Sequence, residues 1–236
     1  QQAGHTITEL RPSLVSLVAN GKDCPALQGL SLKNVAIHVI DTKQKKEIYD
    51  DFGEMMFTHY GVTGPMILSA SSHMRNMEPN RYQISIDLKP ALSLEQLDTR
   101  LQKDFAENQN KDFINSLGAL LPRKLIPIMV AKSGIAPNQK CNQITKEQRR
   151  RFAQELKGFN VMIKGFRPID EAIITSGGVS VKEISPKTME SKLVKGLYFA
   201  GEVIDADAYT GGFNLQIAFS TGYLAATAIA QAQWEI

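Results

Sequence analysis

Alternating hydrophobic and polar residues predict a β-rich first third of the chain. In residues 32–40, LKNVAIHVI, the β-branched Val35, Ile37 and Val39 fall on one face, which is typical of a strand. Residues 81–90, RYQISIDLKP, alternate most regularly, so we expect a half-buried antiparallel strand there. Its predicted buried positions are Tyr82, Ile84, Ile86 and Leu88.

Two shorter segments between these strands complete the β-rich region. The runs KKEIYD and FGEMMFTHYG predict two separate strands at close spacing. After them, proline at position 65 favours a helix from Pro65 to about Met74, because proline is tolerated in the first helical turn.

The hydrophobic period becomes helical between residues 91 and 158. Two capping boxes mark helix starts, Ser93 with Gln96 and Thr145 with Gln148. Because β-rich segments flank this region on both sides, we interpret residues 91–158 as a helical insertion.

Short β-prone runs return after residue 158 and lead to a final helix. Residues 197–200, LYFA, predict a strand buried on both faces. The last helix is expected to begin near Phe213. Small residues recur on it every four positions, which predicts a flat face lying close against a sheet. These residues are Ala218, Gly222, Ala226 and Ala230.

Composition narrows the classes of function. Of the 236 residues 43% are hydrophobic and 22% charged, and the net charge of +3 is too mild to indicate a nucleic-acid partner. No apolar run approaches the roughly 18 residues of a membrane span, so we expect no membrane association. Cys24 and Cys141 are far apart and lack metal-ligand spacing, which predicts no metal site. Two unpaired thiols fit a reducing compartment, so we expect a cytoplasmic location, with a single bridge between them as the alternative.

The segment 196–222, GLYFAGEVIDADAYTGGFNLQIAFSTG, carries the candidate chemistry. Glu202 and Asp205 lie in an acidic loop just after a predicted strand, and ligands of α/β sheets bind beyond such strand ends. Their carboxylates can accept hydrogen bonds from ribose or ribityl hydroxyls. The pair Gly211–Gly212 lets a ring approach the backbone, and the helix N-terminus favours an anion such as a reduced flavin. Asn214 and Gln216 can supplement that contact. A plain strand-to-helix crossover with a capped helix explains the same pattern equally well.

This segment also closely resembles the C-terminal motif of the YhiN/BaiN-type family of NAD(P)- and FAD-dependent oxidoreductases. Three further stretches resemble that family in the same order, GHTITELRPSLVSL, FTHYGVTGPMIL and ITSGGVSVKEISPKTMESK. The resemblance implies an α+β, multi-domain fold. It comprises a β-barrel-like domain with a small helical insert and the C-terminal strand-helix part of an FAD-binding α/β domain. The implied domains are a remnant of the FAD-binding domain at 1–15, the barrel at 16–90 and 159–175, the insert at 91–158, and the C-terminal FAD-binding part at 176–236.

The resemblance also implies that half of a cofactor site lies elsewhere. Family members begin with a glycine-rich FAD fingerprint, and no G-x-G-x-x-G occurs here. The chain begins QQAGHTITEL without methionine, so we expect it to be a piece of a longer protein. Its expected partner is the N-terminal FAD-binding half, and this chain is expected to be inactive alone. The implied cofactor-binding residues are Gly201, Glu202, Asp205, Gly211, Gly212, Phe213, Asn214, Leu215 and Gln216.

The expected activity is that of a fragment of an FAD-dependent oxidoreductase. Electrons would pass from NAD(P)H through the flavin to a small organic acceptor, with activated C=C bonds suggested by the resemblance. Catalytic residues are not identified. His59 and His73 are candidate general acids, although a lone histidine is more often structural. The alternatives are a non-catalytic interaction or scaffold module with an incomplete flavin site and, with less support, an RNA-binding barrel.

Overall fold

A computed structural model describes residues 2–232 and divides them into two compact units. The barrel unit comprises residues 17–66 and 76–165, and the discontinuous unit comprises residues 2–16, 67–75 and 166–232. The eight strands, numbered along the chain, are β1 Ile7–Ser13, β2 Leu17–Ala19, β3 Ser31–Asp41, β4 Lys46–Phe57, β5 Gly61–Thr63, β6 Tyr82–Asp87, β7 Phe159–Phe166 and β8 Ile174–Val179. The seven α-helices of the described residues are α1 Asp23–Ala26, α2 Pro65–Ser71, α3 Leu94–Glu107, α4 Phe113–Ser116, α5 Ile126–Ser133, α6 Lys146–Lys157 and α7 Phe213–Ala232.

Six strands of the barrel unit close into a barrel in the order β2-β5-β4-β3-β6-β7. The predicted alternation in β6 is confirmed, since Tyr82, Ile84 and Ile86 are at most 3% exposed, and Leu88 just after the strand is 6% exposed. In the core, Phe57 packs edge-to-face on Phe159 with ring centroids 6.0 Å apart. The fold is therefore a mixture of helices and strands around a closed barrel, as expected.

The strand between residues 46 and 57 corrects one sequence expectation. The predicted separate strands KKEIYD and FGEMMFTHYG are one continuous strand, β4, followed by the three-residue β5. The sequence-based break at Asp51 is wrong because β4 pairs along its length with β3, and Asp51 lies opposite Ile37 in that pairing. Pairing with a neighbouring strand thus overrides the low strand propensity of aspartate.

Four helices form the insert of the barrel unit. Both predicted capping boxes are confirmed, at Ser93 for α3 and at Thr145 for α6. The helices share an aromatic core in which Phe113 lies edge-to-face against both Phe105 and Phe152, at 5.9 and 5.2 Å.

The discontinuous unit is built on the antiparallel pair β1 and β8 and on helix α7. Its apolar cluster contains Val179 and Ile204, with Ala225 contributed by α7. The predicted strand at residues 197–200 is wrong: this segment forms only an isolated bridge between Tyr198 and Glu190 in the described part of the chain. A doubly buried strand needs neighbours on both sides, and the described residues provide one bridge partner.

Helix α7 begins at Phe213 as predicted but packs on an unexpected face. Ala225 is 7% exposed, and Thr221 accepts a hydrogen bond from the backbone N–H of Gly201. The predicted flat face is not packed against a sheet, because Ala226 and Ala230 are exposed and a Cβ at Gly222 would meet no atom within 4 Å. At the start of this face Ala218 does lie close to the described chain, since a Cβ on Gly201 would be 3.7 Å from the Ala218 Cβ.

No helix among residues 2–232 combines the length and the apolar character needed to cross a bilayer. Within the same residues, no group of three or more histidine, cysteine or acidic side chains is placed to hold a metal ion.

Candidate functional site

A cavity of about 410 Å³ lies in the discontinuous unit at the start of helix α7, and we call it the glycine cavity. Both Gly211 and Gly212 line it, and Gly201 lies on its wall. The structure therefore brings together residues that are separated by ten positions in the sequence. The predicted cofactor-binding residues that line this cavity are Gly201, Glu202, Gly211, Gly212, Asn214 and Leu215.

The backbone of Gly211 and Gly212 explains why glycine occupies both positions. Their φ angles are +106° and +90°, in the left-handed region that other residues rarely adopt. A Cβ on Gly212 would meet no atom of the described chain within 4 Å. The space in front of α7 is thus open, and a flat ring can reach the first turn of the helix. This arrangement fits a flavin ring with its electron-rich edge directed at the helix N-terminus.

The side chain of Asn214 stabilises the loop that precedes α7. Its Oδ1 accepts the backbone N–H of Ala208 at 2.8 Å, and its Nδ2 donates to the carbonyl oxygens of Ala208 at 2.8 Å and of Tyr209 at 3.3 Å. The sequence suggested that Asn214 contacts the cofactor. In the structure its amide shapes the loop that forms the cavity wall.

Glu202 and Gly201 also have defined partners. An oxygen of the Glu202 carboxylate accepts the backbone N–H of Thr175 at 2.8 Å, and the N–H of Gly201 donates to Thr221 at 2.9 Å. These bonds tie the 3₁₀ turn at Gly201–Val203 to β8 on one side and to α7 on the other. The acidic loop and the helix are consequently held at a fixed spacing around the cavity.

The other three predicted cofactor-binding residues lie outside the glycine cavity. Asp205 lines a second, polar cavity of about 420 Å³ together with Arg11. Phe213 lines a third cavity, also of about 420 Å³. Gln216 donates from Nε2 to the hydroxyl of Ser220 at 2.9 Å along α7. The assignment of all nine residues to a flavin stays a prediction.

Sequence reasoning missed several residues that line the glycine cavity. Tyr209 and Thr210 belong to the quoted DADAYTGG motif, so their position beside the glycine pair was a usable signal. Leu14 and Ile173 come from distant segments that the fold brings together, and no local pattern marks them.

The third cavity, which we call the histidine cavity, contains the candidate acid His73. Its Nε2 lies 2.8 Å from the hydroxyl oxygen of Tyr209, and the two rings are 5.6 Å apart. Burial lowers the pKa of His73 below its usual value, and the positive charge of Arg75 adds to this effect, while Asp207 opposes it. His73 is therefore neutral at neutral pH.

The other histidines have structural surroundings. His5 is buried and hydrogen-bonds the hydroxyl of Ser191 at 2.7 Å. His38 pairs with Glu47 on the barrel surface, and His59 lies edge-on to the adjacent tyrosine ring.

One side of helix α7 is apolar and exposed, and we call it the outer face. Leu215, Phe219 and Tyr223 are 62%, 69% and 76% exposed. The twenty residues of α7 include no charged side chain. An exposed stripe of large apolar side chains is typical of a contact surface, and the outer face has this character.

Comparisons with known proteins agree with this architecture. Residues 11–174 match the family described as HI0933-like protein barrel and H2TH domain. The 3-dehydro-bile acid delta(4,6)-reductase of Clostridium scindens is 29% identical over 97% of this chain and 56% of its own length. Two ribosomal RNA dihydrouridine synthases are similarly related, one from Escherichia coli (30% identical over 96% of this chain and 54% of the relative) and one from Haemophilus influenzae (31%, 98% and 54%). The chain thus spans about half the length of these curated relatives.

Proposed function

This chain belongs to the HI0933-like family, and from that membership we propose that it is part of an FAD-dependent oxidoreductase. The whole protein takes electrons from NAD(P)H and uses them to reduce a C=C bond conjugated with a carbonyl group in a small organic molecule. The observation that carries the proposal is the glycine cavity, where Gly211 and Gly212 leave the N-terminus of α7 open to a flat, electron-rich ring.

The residues around this cavity would have distinct roles. FAD, when bound, supplies the hydride chemistry. The first turn of α7 stabilises negative charge on the cofactor ring, because its N–H groups precede the first intrahelical hydrogen bond, from Gln216 to Gly212. Glu202 holds the wall of the cavity through Thr175 and offers a carboxylate to cofactor hydroxyls. Leu215 supplies an apolar surface at the mouth.

The names of the relatives support the choice of substrate class. A delta(4,6)-reductase acting on a 3-dehydro-bile acid reduces double bonds conjugated with the 3-keto group. A dihydrouridine synthase saturates the uracil C5=C6 bond, which is conjugated with the C4 carbonyl. The shared chemistry is the addition of a hydride and a proton to an electron-poor C=C bond. The mild net charge of +3 favours a small molecule over RNA as the substrate of this protein.

The outer face of α7 supports the view that the site is completed by other residues of the whole protein. Phe219 and Tyr223 continue along α7 the exposed apolar surface of Leu215, which lines the glycine cavity. We assign this surface to contact with the FAD-binding half that the related proteins carry, since the chain spans about half their length.

The test compares the whole protein with this chain alone and with one matched pair of variants. We expect the whole protein to be yellow, with FAD that NADH or NADPH bleaches, and the isolated chain to be colourless until the other half is supplied. Gly212→Ala should weaken FAD binding at least tenfold, because its methyl group occupies the open space in front of α7. Gly196→Ala is the control, since Gly196 also has a positive φ, +80°, and open space around it.

A colourless whole protein that gains no flavin absorbance with added FAD would contradict the proposal and favour a non-catalytic interaction module. Reduced flavin that is reoxidised by uridine-containing ribosomal RNA, but not by a conjugated keto-steroid, would replace the small-molecule substrate with RNA.

A further inference from the structure

The glycine cavity is lined by two segments, the turn Gly201–Val203 and the first turns of α7. From the turn, Gly201 and Glu202 line the cavity, and the lining residues of α7 include Leu215 and Ala218. The alignment of these two segments therefore helps to set the shape of the space in front of the helix.

Thr221 links the two segments, although its own side chain does not line the cavity. Its Oγ1 accepts the backbone N–H of Gly201 at 2.9 Å. The same hydroxyl donates within α7, to the carbonyl oxygen of Ile217 at 2.7 Å, with that of Ala218 at 3.1 Å as a second acceptor. Because its proton is used inside the helix, Oγ1 presents a lone pair to the turn.

Apolar packing brings the turn and the helix together at the same place. A Cβ on Gly201 would lie 3.7 Å from the Cβ of Ala218, and Ile204 shares an apolar cluster with Ala225 of α7. Such packing is non-directional, so it holds the segments together without fixing their alignment. A hydrogen bond is directional, and the bond from Gly201 to Thr221 supplies the missing constraint.

Thr221 is remote from the end of α7 that opens onto the cavity. It follows Phe213, the first residue of the helix, by eight residues, which is about 12 Å along a helix that rises about 1.5 Å per residue. A substitution at Thr221 therefore deletes no contact with a molecule in front of the helix. Any effect on such a molecule must come from the alignment of the two segments.

We propose that Thr221 is a positioning residue of the flavin site. By holding the Gly201 turn against α7, it keeps the N-terminus of α7 aligned with the ring in the glycine cavity and so favours the reduced, negatively charged form over the oxidised form. The physical reason is that the partial positive charge of a helix N-terminus acts on an anion only at short range. This inference rests on the proposed function and deepens it by naming a residue that tunes the reduction potential.

The test uses the whole FAD-loaded protein and two threonines of one helix. Thr221→Val keeps the β-branched shape and removes the oxygen that accepts the Gly201 N–H. Thr227→Val is the matched control, because the Thr227 hydroxyl donates in the same way within α7, to the carbonyl oxygen of Tyr223 at 2.9 Å. Thr221→Ser keeps the hydroxyl and serves as the rescue variant.

We expect Thr221→Val to weaken the binding of reduced FAD about threefold to tenfold more than that of oxidised FAD, because the dipole interaction is made mainly with the anion. A tenfold difference equals a fall of about 30 mV in the two-electron midpoint potential. Thr227→Val should leave the potential unchanged, and Thr221→Ser should restore it. A residue with only a structural role would change thermal stability without changing this ratio of affinities.

A second readout needs no cofactor. Amide hydrogen exchange of Gly201 in the apoprotein, followed in the peptide that contains it, should become faster in Thr221→Val and stay unchanged in Thr227→Val. This measurement reports the loss of the bond itself, whereas the potential reports its consequence for the site.

The outcomes separate this inference from the proposed function. A whole protein that binds no FAD contradicts the proposed function and the inference with it. A wild-type midpoint potential in Thr221→Val, or an equal shift in Thr227→Val, overturns the inference alone, and so does a failure of Thr221→Ser to restore the potential. If Thr221→Val does not fold, Thr221→Ala carries the same test with Thr227→Ala as its control, since alanine favours helix and lacks the acceptor.

Discussion

Asn214 holds both backbone polar groups of Ala208, accepting its N–H and donating to its carbonyl, each at 2.8 Å. A single side chain at the start of α7 thus closes the loop that separates the glycine and histidine cavities. This pairing makes the loop conformation part of the candidate site.

We expect Asn214→Ala in the whole protein to lower FAD affinity by about tenfold or more, because each lost hydrogen bond contributes about 1 kcal/mol to holding the loop. Titration of the apoprotein with FAD measures this. Asn108→Ala, which removes an asparagine side-chain bond to the backbone carbonyl of Asp104 in the barrel unit, is the matched control. Equal losses in both variants would contradict the specific role of Asn214.

The outer face of α7 predicts the behaviour of the isolated chain. Because Phe219 is 69% exposed on an uncharged helix, the chain alone should self-associate, and Phe219→Ser should reduce this association. Light scattering or analytical ultracentrifugation provides the measurement. Phe52→Ser removes a phenylalanine that is 60% exposed on the barrel, so an equal effect there would count against the outer face.

The Asp41–Arg81 pair predicts an acid-sensitive contribution to barrel stability. The Asp41 side chain is 3% exposed and lies 2.9 Å from the Arg81 guanidinium. Burial alone would raise the pKa of Asp41, but hydrogen bonds from Arg81 and from the backbone N–H groups of Gln44 and Lys43 outweigh it, and the pKa falls below its ordinary value.

A carboxyl whose folded-state pKa is lowered stabilises the fold above its unfolded pKa, near 3.9, and loses that contribution as the pH falls further. Asp41→Asn should therefore lower the Tm at pH 7, and the difference from wild type should shrink below about pH 4. Asp104→Asn disrupts an exposed pair with Arg100 and should change the Tm much less. A Tm difference for Asp41→Asn that does not vary between pH 7 and pH 3 would contradict the mechanism.

Cys24 should be chemically inert in the folded protein. Burial raises the pKa of its thiol to about 12, with Asp23 adding to the shift and Lys132 opposing it. Since the thiolate is the reactive form, alkylation at pH 8 should be slow in the native state and become rapid after unfolding in guanidinium. Mass spectrometry of the Cys24 peptide follows the reaction, and rapid native labelling would refute the expectation.

Local patterns in the sequence predicted the parts of the fold that depend on neighbouring residues. The alternation around Ile84 and the capping boxes at Ser93 and Thr145 give strands and helix starts wherever they occur. Barrel closure was implied by family resemblance, because no periodicity reveals which strands meet. The continuity of β4 through Asp51 was missed since it depends on pairing with β3.

The candidate site, like the fold, was predictable where its residues lie close together in the sequence. The motif from Gly201 to Leu215 is contiguous, and six of the fourteen residues that line the glycine cavity were named from it in advance. The partnership of His73 with Tyr209 spans 136 positions, and no spacing rule predicts it. The outward direction of Ala226 could not be predicted either, because small residues favour a close contact without identifying the partner.

The pairing of β1 with β8 has a consequence for synthesis on the ribosome. Residues 7–13 emerge before the barrel unit, yet their partner at 174–179 follows only after the whole barrel unit has been translated. The barrel unit can fold while β1 is still unpaired. The discontinuous unit, which carries the glycine and histidine cavities, is completed last, when β1 pairs with β8 across a long separation in sequence. A substitution that delays barrel folding would therefore also delay the appearance of the cavities, without touching a residue that lines them.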